Sequence, residues 1–503
     1  MNLPDDPHDE DRTPWEEMLS SMLGPDVAAE AIRAMRAQGV DPAALADQAD
    51  LPTDPAQLHA VMAQVQRLLA AGGDGPVNWT LAQDLARQTA VHEGDPTISA
   101  ARAEATRQAL RVADLWLDAA TDLTPAAATP QVWSRADWVA RTLPTWQRLA
   151  EPVAQRVTEA LVQATASQSE HLPPEVRQLF GSGTAGHMMR QMGGAVYGMQ
   201  LGQAVGTLAT EAFGSTDAGL PLLEEAGTAL VPANVEEFAD GLDATEDDVR
   251  QFLAVREAAH ARLFAGVPWL RAHLLGIVEA YAREITIDLS AMEEAVRDLD
   301  PANPDKLRES LSSGVFGLEQ TESQKAALVR LETALALVEG WVEEVTAQAV
   351  APHLPHAVPL REMLRRRRAT GGPAEQVFAT LVGLELRPRR IREAAALWSS
   401  LQAQRGPEAR DALWAHPDLM PTPEELDDPT GFVAGRDAAS AADEDVDAQL
   451  AALLDGTLPH ADEDGDGDGR DAEGPQHDDG PEHDDGPEHD DGPDDAPRGP
   501  AAH

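Results

Sequence analysis

The sequence predicts a mostly α-helical, multi-helix globule with a long acidic tail. Three observations predict it. Apolar residues recur at three- and four-residue spacing in segment after segment between about 96 and 404. Strand signals are scarce: runs such as Thr228-Ala-Leu-Val-Pro232 are short and broken by proline, so short strands are allowed but not needed. From Asp437 onward 23 acidic residues face 2 basic ones, and apolar residues are rare towards the end.

Residues 1–12 read as a disordered acidic lead without the apolar stretch of a signal peptide. Residues 13–72 read as a small N-terminal helical region, with apolar periodicity over Asp26–Ala37 and Pro55–Ala71. Gly72-Gly73-Asp74-Gly75-Pro76 then punctuates the chain. The main helical domain is expected over 74–432. Its helical patterns cover about 96–121, 131–143, 145–167, 173–179, 185–213, 246–284, 288–298, 322–350, 359–369, 373–383 and 388–404. Within 185–213, Gly194, Gly198, Gly202 and Gly206 fall every four residues and make one smooth helix face that another backbone can approach closely. Polar Arg190, Gln191, Gln200 and Gln203 interrupt that segment, which favours a packed helix of a soluble bundle over a membrane span. The tail, 437–503, allows a short helix near 440–455. It then repeats Gly-Pro-x-His-Asp-Asp with a six-residue period, too polar to offset chain entropy by burial.

Composition narrows the chemistry. With no cysteine among 503 residues, disulfides, thiolate metal sites and cysteine nucleophiles are excluded. The net charge of −49 disfavours binding to nucleic acid or to an anionic membrane. No stretch approaches about 18 uninterrupted apolar residues, so a cytoplasmic protein without a membrane span is expected. Arginine and alanine abound, while Lys306 and Lys325 are the only lysines, a bias that points to a GC-rich genome.

Arg256-Glu257-Ala258-Ala259-His260 stands one residue from the metalloprotease pattern H-E-x-x-H. In that pattern two histidines at i and i+4 hold zinc, and the glutamate activates a water. Arg256 replaces the first histidine, and a guanidinium offers only donors. With Leu253, Leu263, Phe264 and Val267 these residues share one otherwise apolar stripe, where polar groups need partners or a function. An internal pairing of Arg256 with Glu257, or of Glu257 with His260, is one reading, and a metal site is the other. A second segment, Leu335–Val345, sets Glu339 at the edge of an apolar face. From there it can act as a third ligand, neutralise Arg256 or face solvent.

Val255-Arg-Glu-Ala-Ala-His260, Leu263-Phe-Ala-Gly-Val-Pro-Trp-Leu270 and Leu337-Val-Glu-Gly-Trp341 together resemble the actinobacterial zincin-like metallopeptidase family. The glycine-rich helix and Gly383-Leu-Glu-Leu-Arg-Pro-Arg-Arg390 extend the resemblance over roughly 130–430. Members with intact sites read H-E-x-x-H in the first segment and Glu-Gly-His in the second. The resemblance implies a zinc-dependent hydrolase of peptide bonds, with Glu257 as general base and His260 and Glu339 as metal ligands. It also places histidine where this chain has Arg256 and Trp341. Two of three protein ligands remain, beside a permanent cation that opposes Zn²⁺. The alternative is a non-catalytic interaction protein in which Arg256 replaces the metal and donates to both Glu257 and Glu339.

His273 lies about 220° round an ideal helix from His260 and faces elsewhere; His353 and His356 follow the Glu339 helix closely enough for a loop to return one of them. The basic island Arg361–Arg392 reads as solvated helix faces and ion pairs, with docking of the acidic tail as a further option. Asp462, Asp464, Asp466, Gly467 and Glu473 match a calcium-loop spacing, but Gly474-Pro475 prevents the helix that should follow. Any partner is expected to be a protein or peptide of unspecified identity.

Overall fold

Asn78 starts the first described helix by accepting a hydrogen bond from the Leu81 N–H at 3.0 Å. This helix, α1 (Trp79–His92), is followed by α2 (Ala100–Leu117), strand β1 (Gln131–Val132), α3 (Arg135–Ser169) and α4 (Gly183–Glu211). Strand β2 (Ala229–Leu230), α5 (Pro232–Ala239), α6 (Glu246–Gly266) and α7 (Pro268–Arg283) come next. The last helices are α8 (Glu322–Val350), α9 (Ala357–Ala369), α10 (Ile391–Ala412) and α11 (Phe432–Leu454). The computed structural model describes residues 75–169, 183–217, 219–285, 321–369, 377–378 and 390–454. The expectations for 1–12 and 13–72, for 173–179 and 288–298, for most of 373–383 and for the tail repeats and calcium-loop match lie outside these residues. The protein is a multi-helix globule, as its periodicity predicts.

Local chemistry explains where periodicity alone misplaced an element. The helical pattern of 246–284 is two helices bent by 95°, because Pro268 has no N–H to continue α6 and instead starts α7. Conversely, α3 runs unbroken through Pro144 and Pro152. The segment 131–132, expected to open a helix, pairs in parallel with 229–230, and these are the two named strands among the described residues. Helix α1 has no counterpart among the expected patterns. It packs its Ala82, Ala86 and Ala90 face inward.

The glycine face of α4 receives α1. A Cβ on Gly198 would stand 2.7 Å from the Asn78 carbonyl oxygen, and one on Gly202 would stand 2.6 Å from that of Ala82. Glycine costs a helix about 1 kcal/mol per residue relative to alanine, and close helix packing offsets it here. Among the described residues no single helix is long and apolar enough to cross a membrane. The bent pair α6–α7 passes that test jointly, but both helices lie mostly within the core.

The core is unusually rich in tryptophan: Trp138, Trp146, Trp341, Trp398 and Trp414 are fully buried. It runs from α1 to Phe432 and Val433 at the start of α11. Contacts divide the chain into a unit ending at Asp437 and a second beginning at Ala438. A short helix is expected near 440–455; helix α11 covers that segment as far as Leu454 and starts earlier, at Phe432.

Candidate functional site

From Phe252 to Phe264, helix α6 is buried on every side. Thr245 caps its start by accepting from the Asp248 N–H, and Glu246, Asp247 and Asp248 complement the positive end of its dipole. A helix without a solvent face must satisfy its polar side chains from neighbouring elements. Four such side chains, Arg256, Glu257, His260 and Arg262, leave α6 in different directions. Arg262 is purely structural. It donates to the Asp114 and Leu123 carbonyls at 2.6 and 3.0 Å and to the Asp118 carboxylate at 2.7 Å, tying α6 to α2 and the loop after it.

Glu257 faces the 214–217 loop and β2. Its Oε1 accepts from the Ser215 N–H at 3.0 Å, the Ser215 hydroxyl at 2.5 Å and the Ala229 N–H at 3.1 Å. Oε2 accepts from the Thr216 hydroxyl at 2.8 Å. Four donors on one buried carboxylate leave little acceptor capacity for a catalytic water. The loop is held from its other side by Trp138, whose indole N–H donates to the Gly214 carbonyl at 2.9 Å. Gly214 has to be glycine, since a Cβ there would lie 2.5 Å from Glu257 Oε2.

Arg256 turns the other way, towards α8. Its Nη2 donates to Glu339 Oε2 at 2.9 Å, and no hydrogen bond joins it to Glu257. The expected arginine between two glutamates is therefore half right, because the donors on the loop and β2 have already engaged Glu257. The second cation on Glu339 is Arg368 of α9, whose Nη1 forms an ion pair with the same Oε2. Arg368 also lies 3.7 Å from Asp217. His260 completes the group, with Nε2 3.1 Å from Glu339 Oε1 and Nδ1 3.0 Å from the Arg256 carbonyl oxygen. Burial is the largest single influence on the Glu339 carboxyl and opposes its charge. The charge of Arg368, the contact with His260 and the charge of Arg256 nevertheless prevail and hold it well below the usual carboxylate range. Burial first, and Arg368 second, push the Arg256 guanidinium down from its ordinary value.

The segment Glu339-Gly340-Trp341 divides three ways round α8. Glu339 reaches Arg256, while Gly340 lets α10 approach, its virtual Cβ lying 2.7 Å from the Ala395 nitrogen. Trp341 points to α10, where its indole N–H donates to Asp411 Oδ1 at 2.8 Å. Residues two apart on a helix diverge by about 200°, so Glu339 and Trp341 do not meet at one site. Trp341 is thus removed from the Arg256 cluster. His273 stands edge-on to Trp269, His353 stacks on Trp116 at 4.3 Å, and His356 lies 3.4 Å from Asp248; none of them joins Glu339.

Several arginines of the described basic island have partners within the protein. Arg365 donates to Glu343 from Nε at 2.9 Å, Arg366 pairs with Glu362, and Arg367 lies 4.4 Å above the Phe213 ring. Sequence reasoning counted Arg368 in this island and missed its place on Glu339. It also missed Ser215 and Thr216 as the partners of Glu257. The only available signal for Arg368 was a four-arginine run ending a short amphipathic helix.

Zinc does not fit this donor set. Arg256 and Arg368 occupy Oε2 of Glu339, where a metal would need a free lone pair, and both are permanent cations that oppose Zn²⁺. Among the described residues no three His, Asp or Glu side chains converge as a metal-binding group. The space bordering Glu257 and His260 is about 20 Å³, room for about one water.

A histidine of one buried helix thus meets a glutamate of a second inside a helical globule. The Zincin-like metallopeptidase family model matches residues 77–433, and the chain belongs to that family. A search of curated proteins returned no match. Among solved structures, the chain is similar to a crystal structure from Chloroflexus aurantiacus described as a proposed hydrolase with a novel fold. The two are 18% identical, with a TM-score of 0.50, covering 72% of this chain and 99% of that one. At that identity the likeness concerns the fold alone.

Proposed function

We propose that this chain is a family member in which Arg256 and Arg368 take the place of the metal on Glu339, leaving a non-catalytic interaction protein. The observation that carries the reading is the shared oxygen: both guanidiniums bind Glu339 Oε2, supplying two positive charges where the family expects Zn²⁺. The residues expected to act on a peptide bond have other work. Glu257 clamps the 214–217 loop, and His260 bridges Glu339 and the α6 backbone. Residues 74–432 form the family domain in this reading, flanked by the lead, the 13–72 region and the acidic tail. The arginine-rich, lysine-poor composition supports an actinobacterial source.

Elemental analysis of purified, tag-free protein tests the proposal. The expected result is zinc well below one equivalent after exhaustive dialysis, with no peptidase activity on unstructured peptides. A tightly held equivalent of zinc, or zinc-dependent cleavage abolished by Glu257→Gln, overturns it.

A further inference from the structure

A cavity of about 240 Å³, bordered by Arg256 but not by Glu257, opens between α6, α8 and α9. Its wall is mostly apolar, with Phe252, Val350 and Leu354 inside and Val358, 65% exposed, at its mouth. Three features make it more than a packing defect. Arg256 borders it, and among the described residues only its Nη2 finds an acceptor. Arg361 also borders it and has no ion-pair partner among the described residues. The Thr346 hydroxyl, on the same wall, is 1% exposed and lacks any hydrogen-bond partner. A buried hydroxyl without a partner is uncommon and asks for an explanation.

The carboxylates nearby are already engaged. Glu343 on the cavity wall receives two N–H groups of Arg365, and Glu339 behind Arg256 receives Arg368. An apolar space with two guanidiniums and a free hydroxyl suits a ligand with one negative head and a short hydrocarbon body. Its volume equals about eight water volumes, so it suits a ligand of roughly eight non-hydrogen atoms. We infer that this cavity binds a small aliphatic monocarboxylate, its head held by Arg256, Arg361 and Thr346 and its chain among Phe252, Val350 and Leu354. The inference rests on the reading of Arg256 as a fixed cation in place of the metal.

Isothermal titration of the full chain with hexanoate tests it, with hexanamide and decanoate as controls and zinc content measured on the same sample. One saturable hexanoate site per chain is expected, with at least tenfold weaker binding of the uncharged amide and of the longer acid. Thr346→Val, which keeps the shape and removes the hydroxyl, weakens hexanoate by about three- to tenfold. Arg361→Gln weakens it by about tenfold or more. Ala347→Phe, which places a ring in the cavity, abolishes binding. If that variant does not fold, Val358→Glu at the exposed mouth should weaken hexanoate by charge repulsion. Absence of a saturable site, equal affinity for acid and amide, or indifference to Thr346→Val and Arg361→Gln overturns the inference. Zinc-free protein that ignores hexanoate overturns this inference alone, whereas protein carrying an equivalent of zinc overturns the reading of Arg256 as well.

Discussion

Replacing Glu257 separates a catalytic base from a structural clamp. In a metallopeptidase, changing the general base to glutamine removes activity and leaves folding nearly untouched. Here Glu257 accepts four hydrogen bonds inside the core, two of them from the backbone N–H groups of Ser215 and Ala229. Bonds to a charged acceptor contribute about 1.5–3 kcal/mol each and neutral ones about 0.5–1.5 kcal/mol. Glutamine can keep its oxygen on the three Oε1 donors and turn its amide towards the Thr216 hydroxyl, which can accept. Each of three bonds then weakens by about 1 kcal/mol, and with incomplete additivity Glu257→Gln should cost about 2 kcal/mol. Glu257→Ala strands two buried N–H groups and two hydroxyls and should cost about 4 kcal/mol, near the upper end for single substitutions. Urea unfolding followed by tryptophan fluorescence reads both, because Trp138 is bonded to the same loop at Gly214. A Glu257→Gln midpoint matching the parent chain would refute the clamp and return Glu257 to the role of a water-activating base.

Other substitutions follow from the same geometry. Arg256→His combined with Arg368→Ala frees Oε2 of Glu339 and should create measurable zinc binding with His260. Arg256→His with Trp341→His should not exceed Arg256→His alone, because Trp341 faces Asp411. Gly198→Ala would force a Cβ to within 2.7 Å of the Asn78 carbonyl oxygen; about 1–3 kcal/mol of stability should be lost in thermal or urea unfolding. Glu425 offers a pH test. Burial raises its carboxyl, but hydrogen bonds from Arg436 and Thr422 and the charge of Arg436 outweigh it and lower the value. A lowered folded-state value stabilises the protein above the unfolded carboxylate range and loses that contribution as acid protonates it. The stability gap between the parent chain and Glu425→Gln should therefore be widest near neutrality and close as pH falls below about 4.

Helical periodicity made the class legible, since amphipathic spacing survives whatever the helices pack against. The α4 glycines were readable for the same reason: a four-residue repeat of the smallest side chain has few uses besides close approach. Proline was less dependable. Pro268 broke a pattern read as one helix, and Pro144 did not break one read as two, because the surrounding helices of α3 supply packing that sequence spacing does not record.

The sequence by itself determined that Arg256, a cation that cannot ligate, stands one residue position from completing an H-E-x-x-H pattern, and it set Glu257, His260 and Glu339 on helices with apolar stripes. Only the tertiary structure decided whom each of them meets. Glu257 goes to a loop 41 and 42 residues earlier in the chain, while Glu339 gathers Arg256, His260 and Arg368 from two other helices. Those pairings depend on which way each side chain leaves a fully buried helix and on the neighbour that supplies its donors first. Spacing along a chain specifies a helix face, but a hydrogen bond needs two groups within about 3 Å, and only packing sets that distance.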